Sequence, residues 1–281
     1  MRRTPTCILS SSAAPATSAG HALDRFVEIG SLTKILTGTA LIRMEATGLL
    51  SLEDPLEHWL PAPPGTGITL RHLAEHTSGL PRLPPCLGPR RDPYATFDAA
   101  ALHTLLNRLD TLTVRPPGQE EAYSNFGYAV LGAALTTAAD KPYEHLLRDH
   151  VLGPLGIDEM ASRPASDHCL LAPGLLGGHR RPWTMHGAIL PAGGMWATPR
   201  AAAELVTGLL VERKLGPPAP SWRSAGPLLW HNGATRTASV FCGAMPDGRW
   251  VLIHRLNGSP DYTDKTGMRV LAQSQPAQQS P

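Results

Sequence analysis

Three short patterns in this sequence bring together residue types that can carry out acyl transfer. The first is Ser31-Leu32-Thr33-Lys34. Residues three apart on a helix share a face, so this spacing sets the lysine amine beside the serine hydroxyl. A serine hydroxyl is a weak nucleophile until an adjacent base takes its proton. A lysine can be that base once burial or a nearby cation lowers its pKa. Lysine occurs only four times in 281 residues, against 21 arginines, which makes each lysine informative. At a helix N-terminus, Ser31 also meets the positive end of the dipole as charge develops on oxygen.

The second pattern, Tyr123-Ser124-Asn125, is the only Y-x-N in the chain. Tyrosine can pass a proton to a leaving group and asparagine can hold a substrate amide. The third, His231-Asn232-Gly233, is the only H-x-G. A glycine there lets backbone approach a ligand closely, and the following amide, on Ala234, can pair with the amide of Ser31 as an oxyanion hole. Each pattern has a bland reading: a surface Ser and Lys on one helix, a core tyrosine before a helix, an ordinary turn. The order of the three along one chain is what carries the signal.

That order resembles the S-x-x-K, Y-x-N and K-T-G or H-x-G boxes of class C β-lactamases, D-alanyl-D-alanine carboxypeptidases and related esterases, the penicillin-recognising serine hydrolases. The surroundings are similar too: Glu28-Ile29-Gly30 before Ser31, then Gly48-Leu49-Leu50-Ser51-Leu52-Glu53-Asp54-Pro55 and His76-Thr77-Ser78-Gly79-Leu80-Pro81. Phe126-Gly127-Tyr128 follows the second box, and Pro154-Leu155-Gly156, Pro191-Ala192-Gly193-Gly194-Met195 and Trp230 before the third box complete the set. The resemblance spans residues 24–260. It implies Ser31 as nucleophile, Lys34 and Tyr123 as the proton-transfer pair, Asn125 as a substrate-amide binder and His231 as the third-box residue, with Gly233 and the Ser31 and Ala234 amides at the oxyanion. It implies a small-molecule or peptide substrate and a reaction that needs no metal or organic cofactor. A neutral imidazole holds a substrate carboxylate less strongly than an ammonium, so histidine in the third box weakens the case for a dedicated β-lactamase. Two departures are visible. Only 30 residues precede Ser31, fewer than in the family, so N-terminal strands of the sheet are expected to be missing. The third box runs on into Thr235-Arg236-Thr237-Ala238, whose bulk at Arg236 and Thr237 is expected to narrow the site. These departures motivate an alternative: a non-catalytic relative that binds such ligands or a partner protein.

The elements that must position these boxes are readable in outline. Leu32, Ile35, Leu36 and Ala40 recur at helical spacing, which predicts a helix from Ser31 to about Leu49, buried on most sides and capped by Gly48. A second helix is predicted over Thr69–His76, and others near 97–109, 126–138, 142–151 and Pro199–Arg213. Residues 81–93 are a Pro-rich loop, and 161–194 are loop-rich, with glycines at 174, 177, 178, 187, 193 and 194. Thr237–Met245 and Arg249–Asn257, joined by Pro246-Asp247-Gly248, predict a hairpin. A weak strand signal sits at Thr6–Leu9, and 24–29 reads as an extended lead-in. Strands at both ends with helices between predict an α/β (α+β) fold of the β-lactamase/transpeptidase-like kind: an antiparallel sheet flanked by helices, with an inserted, mainly helical lobe. The expected division is 1–51 with 196–271 for the sheet lobe, 52–195 for the helical lobe, and a disordered tail over 272–281.

Composition bounds the rest. Hydrophobic residues make up 42% and charged residues 17% of the chain, as in ordinary globular proteins. A formal net charge of +2 argues against nucleic acid or an anionic membrane as partner. No apolar run is long enough to span a bilayer. Met1-Arg2-Arg3 is followed by Ser10-Ser11-Ser12 rather than an apolar h-region, so the sequence as it stands reads as cytoplasmic, and as secreted or periplasmic if the true start lies upstream. Oligomeric state is not readable. The four cysteines, Cys7, Cys86, Cys169 and Cys242, are far apart and read as free buried or half-buried thiols. Other motifs are weaker. His72-Leu73-Ala74-Glu75-His76 matches a zinc-protease pattern but lacks a third ligand, and it reads better as a helix leading into the His-Thr-Ser-Gly-Leu-Pro turn. Lys265-Thr266-Gly267 spells a third box but follows the hairpin, so His231 is preferred. Gly177-Gly178-His179 lacks the strand–helix context of a phosphate loop.

Overall fold

The computed structural model describes residues 3–85, 87–174 and 177–274. Cys86, and the predicted tail beyond Ser274, lie outside the described residues. Among these, β1 (Thr6–Ser10) and β2 (Ala13–Ser18) come from the segment before the nucleophile, so the N-terminal strands that were expected to be missing are present. The two-residue strands β3 (Val27–Glu28), β4 (Met160–Ala161) and β5 (Trp196–Ala197) make a small sheet in the order β3-β5-β4. β6 (Arg223–Ala225), β7 (Leu228–Ala234), β8 (Ala238–Ala244) and β9 (Trp250–Leu256) join β1 and β2 in a six-stranded sheet, order β2-β1-β9-β8-β7-β6. Every pairing is antiparallel.

The helices are α1 (Thr33–Ala46), α2 (Leu70–Ala74), α3 (Ala99–Leu106), α4 (Leu109–Leu112) and α5 (Asn125–Ala139). After them come α6 (Tyr143–Leu147), α7 (Gly153–Leu155), α8 (Leu190–Gly193), α9 (Pro199–Val206) and α10 (Pro260–Gln273). Each helix predicted from the spacing is found, most of them shorter at their ends, while α5 runs one residue beyond 126–138 at each end. The stretch 142–151 is α6 followed by a π turn over Arg148–Leu152, and α9 likewise runs into a π turn over Thr207–Val211.

The sheet is covered on both faces. Phe241, Val251, Ile253 and Leu271 pack between it and α10, while Cys7, Leu9, Val240, Cys242 and Leu252 join the main core with α1 and α9. Every residue of β8 is therefore buried, which is why its sequence reads as a nearly unbroken apolar run rather than an alternation. The residues of α1 from Thr33 through Leu41 are all buried, as its scarcity of polar positions suggested.

Three of the elements that the sequence did not reveal bear on the site or its surroundings. All six residues of β2 are exposed, so this edge strand has no alternation to read, and it contains Pro15. The third box is not a turn before the hairpin but part of β7. The residues after the hairpin form α10, which also absorbs Ala272 and Gln273, so the tail placed at 272–281 begins too early. Thr263, Gly267 and Leu271 are its buried face, four residues apart. Lys265-Thr266-Gly267 is thus helical. A Cβ at Gly267 would lie 2.1 Å from Cδ1 of Phe241, so the glycine is there for packing. The described cysteines, Cys7, Cys169 and Cys242, are free thiols.

Candidate active site

The turn that carries Ser31 is a single 3-10 turn, Gly30–Leu32, leading straight into α1. Gly30 has φ +50°, a left-handed conformation that suits glycine. A Cβ there would come within 3.1 Å of the Ala234 backbone nitrogen. Thr33 donates its hydroxyl to Gly30 O (2.8 Å) and accepts from the Met195 amide (3.2 Å), which ties the turn to the loop after α8.

Lys34 is completely buried. Its Nζ donates to Ser31 Oγ (3.3 Å), Asn125 Oδ1 (2.8 Å) and Ala192 O (2.5 Å). Three acceptors match the three donors of an ammonium. Tyr123 OH lies 2.6 Å from Ser31 Oγ and donates to it. Ser31, Lys34, Tyr123 and Asn125 therefore meet in one hydrogen-bonded network.

The network shifts its own protonation. Burial lowers the Lys34 pKa from the usual lysine range, the Arg82 guanidinium adds to this, and the Tyr123 phenol opposes it. Burial alone would raise the Tyr123 phenol; the Lys34 charge, the contact with Ser31 and the charge of Arg82 outweigh burial and lower it. The Arg82 guanidinium carbon sits 5.0 Å from the Tyr123 ring centroid. Both the amine and the phenol are thus lowered from their usual values within one hydrogen-bonded network.

Two segments without assigned roles in the sequence hold this network. The first is His76–Pro81. His76 has φ +61° and Gly79 φ +72°, and a Cβ at Gly79 would collide with Arg115 O at 2.0 Å. His76 O accepts from Ala122 N (2.7 Å) and Pro81 O from Ser124 Oγ (2.7 Å). The imidazole Nδ1 of His76 accepts from Ser124 N (3.1 Å), and its ring packs 4.6 Å from that of Tyr123. Burial and the Lys34 charge push the His76 imidazole down to about 3, so it is a neutral prop for the tyrosine loop. The second is Pro191–Met195. Pro191 O accepts from Thr37 Oγ1 (2.7 Å) and Ala192 O anchors Lys34. The pattern His72-x-x-Glu75-His76 is accounted for as well: His72 Nδ1 accepts from Thr69 N (3.2 Å) in a capping box at the start of α2, well apart in function from His76.

Across the cleft runs β7. His231 is buried, and its Nδ1 lies 2.6 Å from Asn232 O; a carbonyl only accepts, so Nδ1 carries the proton. Burial, the Lys34 charge and Arg223 hold the imidazole down to about 3 despite that bond. His231 and Tyr123 line a common cavity of about 530 Å³ with His76, Trp230 and Arg223. A Cβ at Gly233 would lie 2.5 Å from Ile29 O and 3.0 Å from Ser31 N, so only glycine permits this approach. Thr235 N donates to Ala238 O (2.9 Å). Antiparallel pairing alternates, so the neighbouring N–H, of Ala234, points to the opposite edge of the strand, where Gly30 and Ser31 lie. The two oxyanion amides expected from the sequence are therefore neighbours. The bulk after the third box is directed elsewhere: Thr237 is buried with its hydroxyl on Glu28 Oε2, and Arg236 is exposed, its Nη1 donating to Arg91 O (3.1 Å).

The Beta-lactamase family model matches residues 13–268. The D-alanyl-D-alanine-carboxypeptidase/endopeptidase AmpH of Escherichia coli is 36% identical over 156 residues, which are 52% of this chain and 39% of that protein. Beta-lactamase-like protein 4 of Dictyostelium discoideum is 27% identical over 209 residues, 67% of this chain and 36% of its own length. The matches thus span well under half the length of these relatives. Among solved structures, a Beta-lactamase/D-alanine Carboxypeptidase from Yersinia pestis complexed with citrate superposes with TM-score 0.77 at 24% identity, covering 96% of this chain and 92% of that one. One from Pseudomonas syringae gives TM-score 0.79 at 16% identity, covering 97% and 94%. Among the described residues no helix is long and apolar enough to cross a membrane.

Proposed function

This chain belongs to the β-lactamase family, and on that premise we propose that it is a serine hydrolase that forms an acyl-enzyme on Ser31. The observation that carries the reading is the contact of one hydroxyl, Ser31 Oγ, with both Lys34 Nζ and Tyr123 OH. Ser31 Oγ attacks the substrate carbonyl carbon and its proton passes to the Lys34–Tyr123 pair. The carbonyl oxygen takes the negative charge and is held by the Ser31 and Ala234 amides. Collapse of the tetrahedral intermediate breaks the bond to the leaving group, which takes the proton back through Tyr123. Water then attacks the ester on Ser31 and returns the enzyme. Asn125 serves twice in this reading, steadying Lys34 through Oδ1 and leaving its amide nitrogen, 3.4 Å from Tyr94 OH, for a substrate carbonyl. The substrate is a small ester, amide, D-amino-acid peptide or β-lactam, and the partial likeness to a D-alanyl-D-alanine carboxypeptidase puts D-Ala-D-Ala peptides first in a screen beside nitrophenyl esters and nitrocefin.

A fluorophosphonate or fluorescent penicillin probe tests the reading. Labelling is expected in the wild type and absent in Ser31→Ala, whose melting temperature stays near that of the wild type because little volume is lost. Labelling that persists in Ser31→Ala places the nucleophile elsewhere. A wild-type protein that binds these ligands reversibly and is never labelled is a non-catalytic relative.

A further inference from the structure

Glu28 is buried, three residues before Ser31 on β3, and the chemistry above gives it no task. Its Oε2 accepts from two hydroxyls of the turn that directly follows Ala234: Thr235 Oγ1 at 3.0 Å and Thr237 Oγ1. Thr235 Oγ1 in turn accepts from Thr237 N (3.2 Å) and Ala238 N (3.1 Å), so the turn is closed around the carboxylate. The main chain of Glu28 is held independently: its carbonyl accepts from His254 Nε2 at 3.0 Å, on β9, and it pairs with Trp196 of β5. Residue 28 is therefore a fixed point of the fold.

The two oxyanion amides belong to the two segments that this carboxylate joins. Ser31 N follows β3 by three residues, and Ala234 N immediately precedes Thr235. Among the described residues no side chain from outside the turn other than that of Glu28 is hydrogen-bonded to Thr235 or Thr237. An oxyanion hole works only if its donors are already in place when charge develops, and misplacement by a fraction of an ångström is felt in the rate. We propose that Glu28 is the positioning residue of the oxyanion site: by gripping the Thr235 and Thr237 hydroxyls it fixes the Ala234 amide against the Ser31 amide. This rests on Ser31 being the nucleophile. Glu28 touches no reacting atom, and its effect falls on the transition state rather than on substrate binding.

The test compares Glu28→Ala with Glu28→Gln, using nitrophenyl ester turnover and crystal structures of both variants. Glu28→Ala is expected to lower kcat by roughly 10- to 100-fold with KM little changed, less than the roughly 10²–10³ of deleting an oxyanion donor outright. The glutamine side-chain oxygen keeps two lone pairs for the two hydroxyls, so Glu28→Gln is expected to recover most of that loss. The crystal structures should show the Gly30–Ala234 approach widened in the alanine variant and kept in the glutamine variant. If Glu28→Ala does not fold, Thr235→Val/Thr237→Val removes the same bonds from the other side and should show the same fall in kcat. Wild-type kcat in Glu28→Ala, or an unchanged Gly30–Ala234 approach, overturns the proposal. A wild type that is not labelled at Ser31 overturns the nucleophile assignment instead, and the crystal structures still decide what Glu28 holds.

Discussion

The two walls of the cleft are built on different principles. On the helical wall, Lys34, Tyr123 and Asn125 are side chains tied to one another and to Ser31, with Arg82 and His76 packed around the phenol. On the strand wall the parts the proposed mechanism uses are backbone: the Ala234 amide, and the absence of a side chain at Gly233. His231, on the same strand, is held neutral by burial and by the charges of Lys34 and Arg223. The contrast teaches a division of labour. In the proposed mechanism proton transfer falls to the helical wall, where the Lys34 amine and the Tyr123 phenol are both lowered from their usual values. In the same mechanism charge stabilisation falls to backbone amides, that of Ala234 on the strand wall and that of Ser31 facing it, which as fixed dipoles need only be in the right place.

The hardest blow to the helical wall is Lys34→Arg. An exposed lysine at neutral pH is neutral in only about one molecule in 2,500; burial raises that fraction here. Arginine keeps the charge but cannot give up its proton. Acylation by Lys34→Arg is therefore expected to fall by about 10²–10⁴-fold, as for loss of a general base, and nearly as far as in Lys34→Ala, measured as the rate of probe labelling. If Lys34→Arg keeps most of the rate, the lysine is only a fixed charge and Tyr123 alone is the base, which would shift the proton chemistry within the same wall.

On the strand wall the matching blow is Gly233→Ala. Its Cβ would meet Ile29 O at 2.5 Å and Val240 Cγ1 at 2.8 Å, so β7 must move away from the nucleophile turn and carry the Ala234 amide with it. The expectation is a loss of roughly 10- to 100-fold in kcat, short of deleting a donor outright, with the pH dependence of the remaining activity unchanged because no proton carrier has moved. A shifted pH profile in Gly233→Ala would show that the two walls are not separable.

The helical wall was the more legible of the two in the sequence, for a physical reason. Ser31 and Lys34 are neighbours because of helix geometry alone, and that follows from spacing. Tyr123 and Asn125 have distinctive side chains, so a short motif betrays them. The groups that position them were less visible. Ala192 contributes a carbonyl, which every residue has, and His76 looked like half of a metal pair until its Nδ1 was seen to accept from Ser124 N. Glu28 could be quoted as part of a resemblance but not given a task, since its partners lie more than 200 positions away in the chain. The fold followed the same pattern. The helix α1 has apolar residues at helical spacing, and the β8–β9 hairpin has runs of β-forming residues around a turn signal. The edge strand β2 buries nothing, and α10 shows its core only through three positions, one of them glycine.

The smallest expected effect bears on the strand wall's neutrality. His231 Nδ1–H is committed to Asn232 O, and the folded imidazole stays neutral down to about pH 3. In the unfolded chain the same side chain titrates near 6.5. A folded pKa below the unfolded one gives stability that is fully present above about pH 6.5 and is lost as pH falls from there toward 3, because only the unfolded chain takes up the proton. The slope contributed by one such group is at most about 1.4 kcal/mol per pH unit. His231→Gln removes it, so the melting temperature of this variant should decline less steeply than that of the wild type between pH 6.5 and 4, while His76 and His254, also held down to about 3, go on contributing in both proteins. Since His231 does not change charge over the working range, the acid limb of kcat/KM should sit at the same pH in His231→Gln as in the wild type, with the rate itself reduced by less than about 10-fold, below the usual range for a lost proton carrier. An acid limb that moves with the substitution would mean that His231 titrates during turnover. The strand wall would then carry a proton after all, and the division drawn between the two walls would fail at the third box.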